Sequence, residues 1–208
     1  MTCFLSYMNM RFLTVISLLL ATLQCFGQKD AKAKEVLDAV VANYAKSSGT
    51  EIVFGGTMDG TIALKGEKFM LDCGGIKSWF DGKTLWSYVE ENAEVNVSNP
   101  TDEELQAINP YAMLGMYKHG FNYAYAGNKN RKGTACKEVV MTPEKNHEVK
   151  KIVIDVNGKM EPVYISIENR NGDVQEFVIR RYTTKQLDDR MFRFDKAKYP
   201  DAEIIDLR

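Results

Sequence analysis

Apolar positions recur first with the spacing of a helix and then, from residue 51 onward, with the spacing of strands. Val36, Leu37, Val40, Val41 and Tyr44 fall three and four apart with Lys and Asp between them, which predicts one amphipathic helix over residues 30–47. Ser47-Ser48-Gly49 ends it. The period then changes to two. Ile52 and Phe54 alternate, and Thr61-Ile62-Ala63-Leu64 and Lys68-Phe69-Met70-Leu71 flank a turn at Lys65-Gly66. An aromatic-rich hairpin follows over residues 79–88, joined at Asp81-Gly82, a pair that tolerates the positive φ of tight turns. Glu94-Val95-Asn96-Val97 is a further strand, with Glu90-Glu91-Asn92 as the polar tip before it.

Asn99-Pro100 breaks the strand pattern, and Thr101 with Glu104 three residues later predicts a capped helix start. Asn109-Pro110 interrupts that helix, and residues 111–117 read as a second short one, unusually apolar in Met113, Leu114, Met116 and Tyr117. Strands resume at Phe121. Ile152, Ile154 and Val156 share a face, and Val163, Ile165 and Ile167 alternate with Tyr164, Ser166 and Glu168. Asn157-Gly158 and Asn171-Gly172 are turns, and Phe192 and Phe194 alternate in a closing strand before Tyr199-Pro200. Many strands with short turns argue for an antiparallel meander rather than a parallel α/β fold. Gly55-Gly56 and Gly74-Gly75 suit bulges or sharp bends in a curved sheet.

The N-terminus carries a secretion signal: Arg11, the apolar run of residues 12–21, and small residues Cys25 and Gly27 placed for cleavage before Gln28. Translation from Met8 or Met10 instead of Met1 gives a more usual leader, and the apolar run falls short of the ~20 residues of a membrane span. The chain is thus expected to divide into a leader over residues 1–27 and a single domain over 28–208, with the mature protein exported and the periplasm its expected destination. With 27 basic and 28 acidic residues it lacks the basic excess of a nucleic-acid binder. Cys73 and Cys136 survive cleavage; in an oxidising compartment they can pair, or each can serve as a small buried hydrophobe, and the reading leans to free thiols.

Taken together these segments resemble the outer-membrane lipoprotein carrier (LolA-like) family. The resemblance rests on the amphipathic helix, on Asp81-Gly82-Lys83-Thr84-Leu85-Trp86 with Tyr88, and on Asn109-Pro110 before an apolar helix. Met141-Thr142-Pro143, Phe192-Arg193-Phe194 and Pro200 complete it. It implies a mainly β (α+β) fold: an incomplete, curved antiparallel half-barrel covered by an N-terminal helix and short lid helices. It also implies a monomeric chaperone that takes acylated lipoprotein cargo from an inner-membrane ABC transporter and hands it to an outer-membrane receptor. No cofactor is expected. The family's functional arginine corresponds to Lys65, which makes Lys65 the expected lid latch, although lysine lacks the planar fork of arginine. Gly66 stands where the family has proline, and Gly55-Gly56 where it has a strand glutamine.

A carrier of acyl chains needs a concave apolar surface and a cover. The expected lining is Phe54, Ile62, Leu64, Phe69, Leu71, Trp86, Tyr88, Ile152, Ile154, Ile165 and Ile167, with Met113, Met116 and Tyr117 from the covering helix. The same residues equally describe an ordinary filled core. Two alternatives stand beside the carrier: a binder of another lipid or glycolipid on the same fold, and a non-binding envelope interaction module. Catalysis has no support in the sequence. His119 and His147 are the only histidines and neither stands at metal-ligand spacing; no nucleophile elbow, phosphate loop or Cys-x-x-Cys occurs.

Overall fold

The computed structural model describes residues 29–108, 115 and 117–208. The leader, the start codon and the expected lining residues Met113 and Met116 lie outside the described residues, as does Asn109-Pro110. Helix α1 (Ala31–Ala45) starts where Asp30 takes the free backbone N–H groups of Lys32 at 2.7 Å and Ala33 at 3.2 Å onto its carboxylate. Its inward stripe, Ala33, Val36, Leu37 and Val40, is buried along the helical spacing seen in the sequence.

Twelve strands form one curved, unclosed sheet. The first six make a meander: β1 (Thr50–Gly56), β2 (Gly60–Lys65), β3 (Lys68–Cys73), β4 (Ile76–Phe80), β5 (Leu85–Val89) and β6 (Glu94–Ser98). Helix α2 (Asp102–Ile108) follows. A second meander then runs through β7 (Phe121–Arg131), β8 (Thr134–Pro143), β9 (Val149–Asn157), β10 (Pro162–Asn169) and β11 (Val174–Thr184). Antiparallel pairing of β1 with β11 joins the two into one sheet, and β12 (Glu203–Asp206) adds to the far edge of β6.

Turns and bulges set the curvature. At β2–β3 the positive φ of 58° falls on Gly66, and at β3–β4 both Gly74 and Gly75 are positive. Asp81 holds its four-residue connection by accepting from Lys83 N and Thr84 N at 3.1 and 3.0 Å, with Gly82 at φ 99°. Extra residues stand in β7 opposite Val139/Glu138, in β10 beside Pro162, and in β11 at Arg180. Such bulges bend and twist a strand locally, which curls the sheet toward α1. Gly56 is also required by space: a Cβ there would sit 2.2 Å from the Glu176 carbonyl oxygen, at a φ of 130°.

Two sequence expectations need correction. Phe192-Arg193-Phe194 is no strand. Asp188 and Asp195 accept from Arg190 N (2.9 Å) and Ala197 N (3.1 Å), so local turns compete successfully with extended backbone. A 3₁₀ turn over Asp189–Phe192 results, and Phe192 is buried against Ala63, Leu187 and Met70. The last strand lies beyond Pro200 and runs parallel to β6, so the sheet is not wholly antiparallel. Its backbone is fixed by Glu203 N to Ala93 O at 2.9 Å and Leu207 N to Val97 O at 2.8 Å.

Gly56 and Gly66 give a paired test. Gly66→Ala has open space and is expected to cost about 1 kcal/mol in urea unfolding, from the positive φ alone. Gly56→Ala adds a collision with backbone and is expected to cost about 3 kcal/mol or more. Equal costs would show that the close approach of β1 to β11 is not rigid.

Candidate functional site: the helix-covered apolar face

Register and alternation sort the side chains of the sheet onto two faces. On the inner face, beneath α1, Phe54, Ile62, Leu64, Phe69, Ile152, Ile154, Ile165, Ile167 and Tyr117 join one buried cluster with the stripe of α1. Leu71 packs at its margin. Ten of the expected lining residues are therefore brought together. Trp86 and Tyr88 are not. Phe80 pairs directly with Leu85 and both point inward, so Trp86 and Tyr88, one and three residues on, point outward. They pack there with Val95, Val97, Ala202, Phe194 and Tyr199. The Tyr199 ring lies tilted against Tyr88, centroids 4.7 Å apart, and meets Trp79 edge-on at 5.6 Å.

Sequence reasoning missed other inner-face members: Phe80, Leu85, Phe121, Tyr123, Val139, Met141 and Phe177; Val156 joins them on the face it was expected to share with Ile152 and Ile154. Counting alternation inward from both sides of the Asp81–Thr84 connection finds the first two. Beyond the cluster the apolar face continues toward the β3–β4 turn, where Cys73 is half-buried and Ile76 is 44% exposed. The inner face thus grades from a sealed centre to an open margin.

The cover is tied down by polar contacts at its ends. Asp30 N donates to Tyr123 O at 3.0 Å, and Tyr125 N donates to the Asp30 carboxylate at 3.1 Å, which draws its pKa below the usual range. At the other end Asn43 Nδ2 donates to Lys159 O at 3.3 Å, and the Tyr44 hydroxyl donates to Gly66 O at 2.6 Å. Burial pushes the Tyr44 phenol up to about 12, so it stays a donor at any physiological pH. Helix α2 carries the expected cap in full: Thr101 N donates to the Glu104 carboxylate at 2.7 Å, and Glu104 N donates back to Thr101 Oγ1 at 3.3 Å. Leu105 and Ile108 of α2 pack against the cluster.

Where the chain returns from α2 toward β7, the buried Tyr117 donates its hydroxyl to Asp38 Oδ1 of α1 at 2.5 Å. Lys34 and then Tyr117 hold the Asp38 carboxylate below its ordinary 3.8, and burial raises the Tyr117 phenol. Lys65, the expected latch, lies on the other face. Its ammonium donates to Leu187 O at 2.8 Å and pairs with Asp189 at 2.8 Å, while Lys68 reaches the same carboxylate at 3.2 Å. Leu64 points inward, so its neighbour Lys65 must point outward, and these contacts fasten the C-terminal segment rather than the cover. Cys73 and Cys136 are free thiols. His147 Nδ1 accepts from Val149 N at 3.0 Å, and among the described residues no group of His, Cys, Asp or Glu is placed to hold a metal ion.

Two expectations follow. Lys65→Leu should lower stability by no more than about 1 kcal/mol, as for a half-exposed ion pair, and leave binding of an apolar fluorescent probe unchanged. Asp38 has a depressed folded pKa, so its contribution is full above the ordinary 3.8 and is lost as the pH falls through the folded value. The stability gap between the natural chain and Asp38→Asn should therefore be widest near about pH 6 and close below pH 3.8, measured by urea midpoints. A gap independent of pH would show that the carboxylate charge plays no part.

The family model described as "Outer membrane lipoprotein carrier protein LolA" matches residues 23–173. No curated protein matches the sequence. Among solved structures, an uncharacterized conserved protein from Thermus thermophilus superposes with a TM-score of 0.61 at 13% identity, covering 85% of this chain and 99% of that one. The lipoprotein LppX of Mycobacterium tuberculosis superposes with a TM-score of 0.50 at 10% identity, covering 77% of this chain and 99% of that one. At these identities the superpositions show the shared fold. With the family model spanning most of the chain, the protein belongs to the outer membrane lipoprotein carrier protein LolA family.

Proposed function

We propose that this protein is a periplasmic carrier that shields the acyl chains of lipoproteins against the inner face of its sheet and moves them from the inner toward the outer membrane. The observation that carries this reading is the kind of cover the apolar face has. A second sheet would close it permanently; here the amphipathic helix α1 lies across an unclosed sheet, held at its ends by a few hydrogen bonds, with Leu105 and Ile108 of α2 and Tyr117 packing beside it. A buried methylene contributes ~0.8 kcal/mol, so an acyl chain with about 15 of them offers on the order of 12 kcal/mol to whatever surface receives it. The stripe of three larger side chains on α1, Val36, Leu37 and Val40, contributes on the order of 5–8 kcal/mol by the same rule. A ligand can therefore compete with the cover for the same face, and release can restore it.

Delivery from an inner-membrane ABC transporter and transfer to an outer-membrane receptor complete the proposal, resting on family membership. The test is release. Added to spheroplasts of its own host, the purified mature chain should bring acylated lipoproteins into the soluble fraction as a complex that co-elutes with it. A folded protein that releases none, yet takes up an apolar probe displaceable by free lipid, would replace lipoprotein by another amphiphile. Failure to take up the probe would leave the filled interaction module.

A further inference from the structure

The inner face is not apolar throughout. Across β2 to β5 one row of paired residues is Leu64, Phe69, Phe80 and Leu85, and the row at the β3–β4 turn end pairs Cys73, Ile76 and Val89. Between them a third row begins with Ile62 and Leu71 and then changes character: Ser78, Ser87 and Asn96 stand in register on β4, β5 and β6. Ser98 extends the patch beside Leu85. All four lie opposite in parity to Trp86, Val95 and Val97 of the outer cluster, so they face the side on which α1 lies.

These groups are set up for hydrogen bonding but only partly used. Ser78 is 3% exposed, and its hydroxyl meets that of Ser87 at 3.2 Å. Ser87, Asn96 and Ser98 are half-buried, and among the described residues neither the Asn96 amide nor the Ser98 hydroxyl has a hydrogen-bond partner. Water reaches these half-buried groups in the unliganded protein, so a ligand that covers the row must replace the hydrogen bonds it displaces. The patch is also uncharged. No Lys or Arg points inward from β3 to β6, because Lys68 and Lys77 share parity with the outward Trp79, and the one inward charge is the carboxylate of Glu94 at the margin. That chemistry repels an anionic head group and suits one with neutral donors and acceptors. Neighbouring strands are about 4.8 Å apart, so hydroxyl and amide repeat at a spacing that adjacent ester groups can meet.

We propose that Ser87, Asn96 and Ser98 form a subsite for the neutral glyceryl-ester linkage of an acylated ligand, whose chains lie on the apolar rows to either side. This rests on the carrier reading and names what the face recognises at the polar end of its ligand.

The test is competition against a bound apolar fluorophore by 1-monooleoylglycerol and by oleate, which share a chain and differ in head group. The natural chain should prefer the glyceride. Asn96→Leu should weaken glyceride competition about fivefold, the loss of one or two hydrogen bonds, and leave oleate competition unchanged. Ser87→Ala, a smaller change at a half-buried position, should shift the ratio the same way and serves if Asn96→Leu fails to fold. Displacement by both lipids with a ratio unaltered in the variants overturns the subsite while acyl binding stands. Displacement by neither overturns acyl binding itself, and the subsite with it.

Discussion

The contact of α1 with the inner face is the constraint on which the rest depends. A twelve-stranded sheet left unclosed has two broad faces and two free edges, and one face here is largely apolar, broken by the Ser78, Ser87 and Asn96 row. Closure into a barrel would hide that surface for good. The helix holds it with far less: one stripe of side chains and a handful of end contacts. The meander order, the pairing of β1 with β11 and the bulges in β7, β10 and β11 all curve the sheet around this one element.

The outer face obeys a different rule. Its cover is the C-terminal segment, nailed by Leu187 and Phe192 into apolar sites, by Lys65 and Lys68 onto Asp189, and by Tyr199 among the rings of Trp79, Tyr88 and Phe194. Covalent continuity with β11 and parallel pairing of β12 to β6 make that cover part of the sheet. One face is built to stay shut. The other has a margin where apolar side chains meet solvent, at Ile76, and a polar row that the cover leaves partly unpaired. The proposed carrier role, in which the inner face exchanges partners while the sheet stays folded, would use that asymmetry.

Much of this was legible in the sequence, and the failures have specific causes. The helix over residues 30–47 became α1 because a 3.6-residue period with flanking caps has few other solutions. Thr101 with Glu104 gave the start of α2 and Lys65-Gly66 a turn, while Gly74-Gly75, read as a bulge or sharp bend, forms the β3–β4 turn. Ile62, Leu64, Ile152, Ile154, Ile165 and Ile167 share one face because the alternation between the members of each pair is uninterrupted. Trp86 and Tyr88 went astray because the aromatic run invites counting straight through the Asp81–Thr84 connection, whose four residues reset which face comes next. The latch expectation for Lys65 rested on its correspondence with a family arginine, and that correspondence carries no information on which face the side chain takes; here it bonds Leu187 O and Asp189 on the outer face. The parallel strand β12 was invisible because its partner lies about a hundred residues upstream and nothing local encodes it. The Ser78, Ser87 and Asn96 row emerges only once three strands are set in register.

The central claim is that acylated ligand and α1 share the inner face. Amide hydrogen exchange of the mature chain, with and without a soluble diacylated lipopeptide, tests it most directly. The account predicts faster exchange in α1 as its cover is displaced, with β8 to β10 kept protected by the ligand that replaces it and the outer C-terminal segment unaffected. Changes confined to the C-terminal segment and β12, with α1 as protected as before, would contradict it.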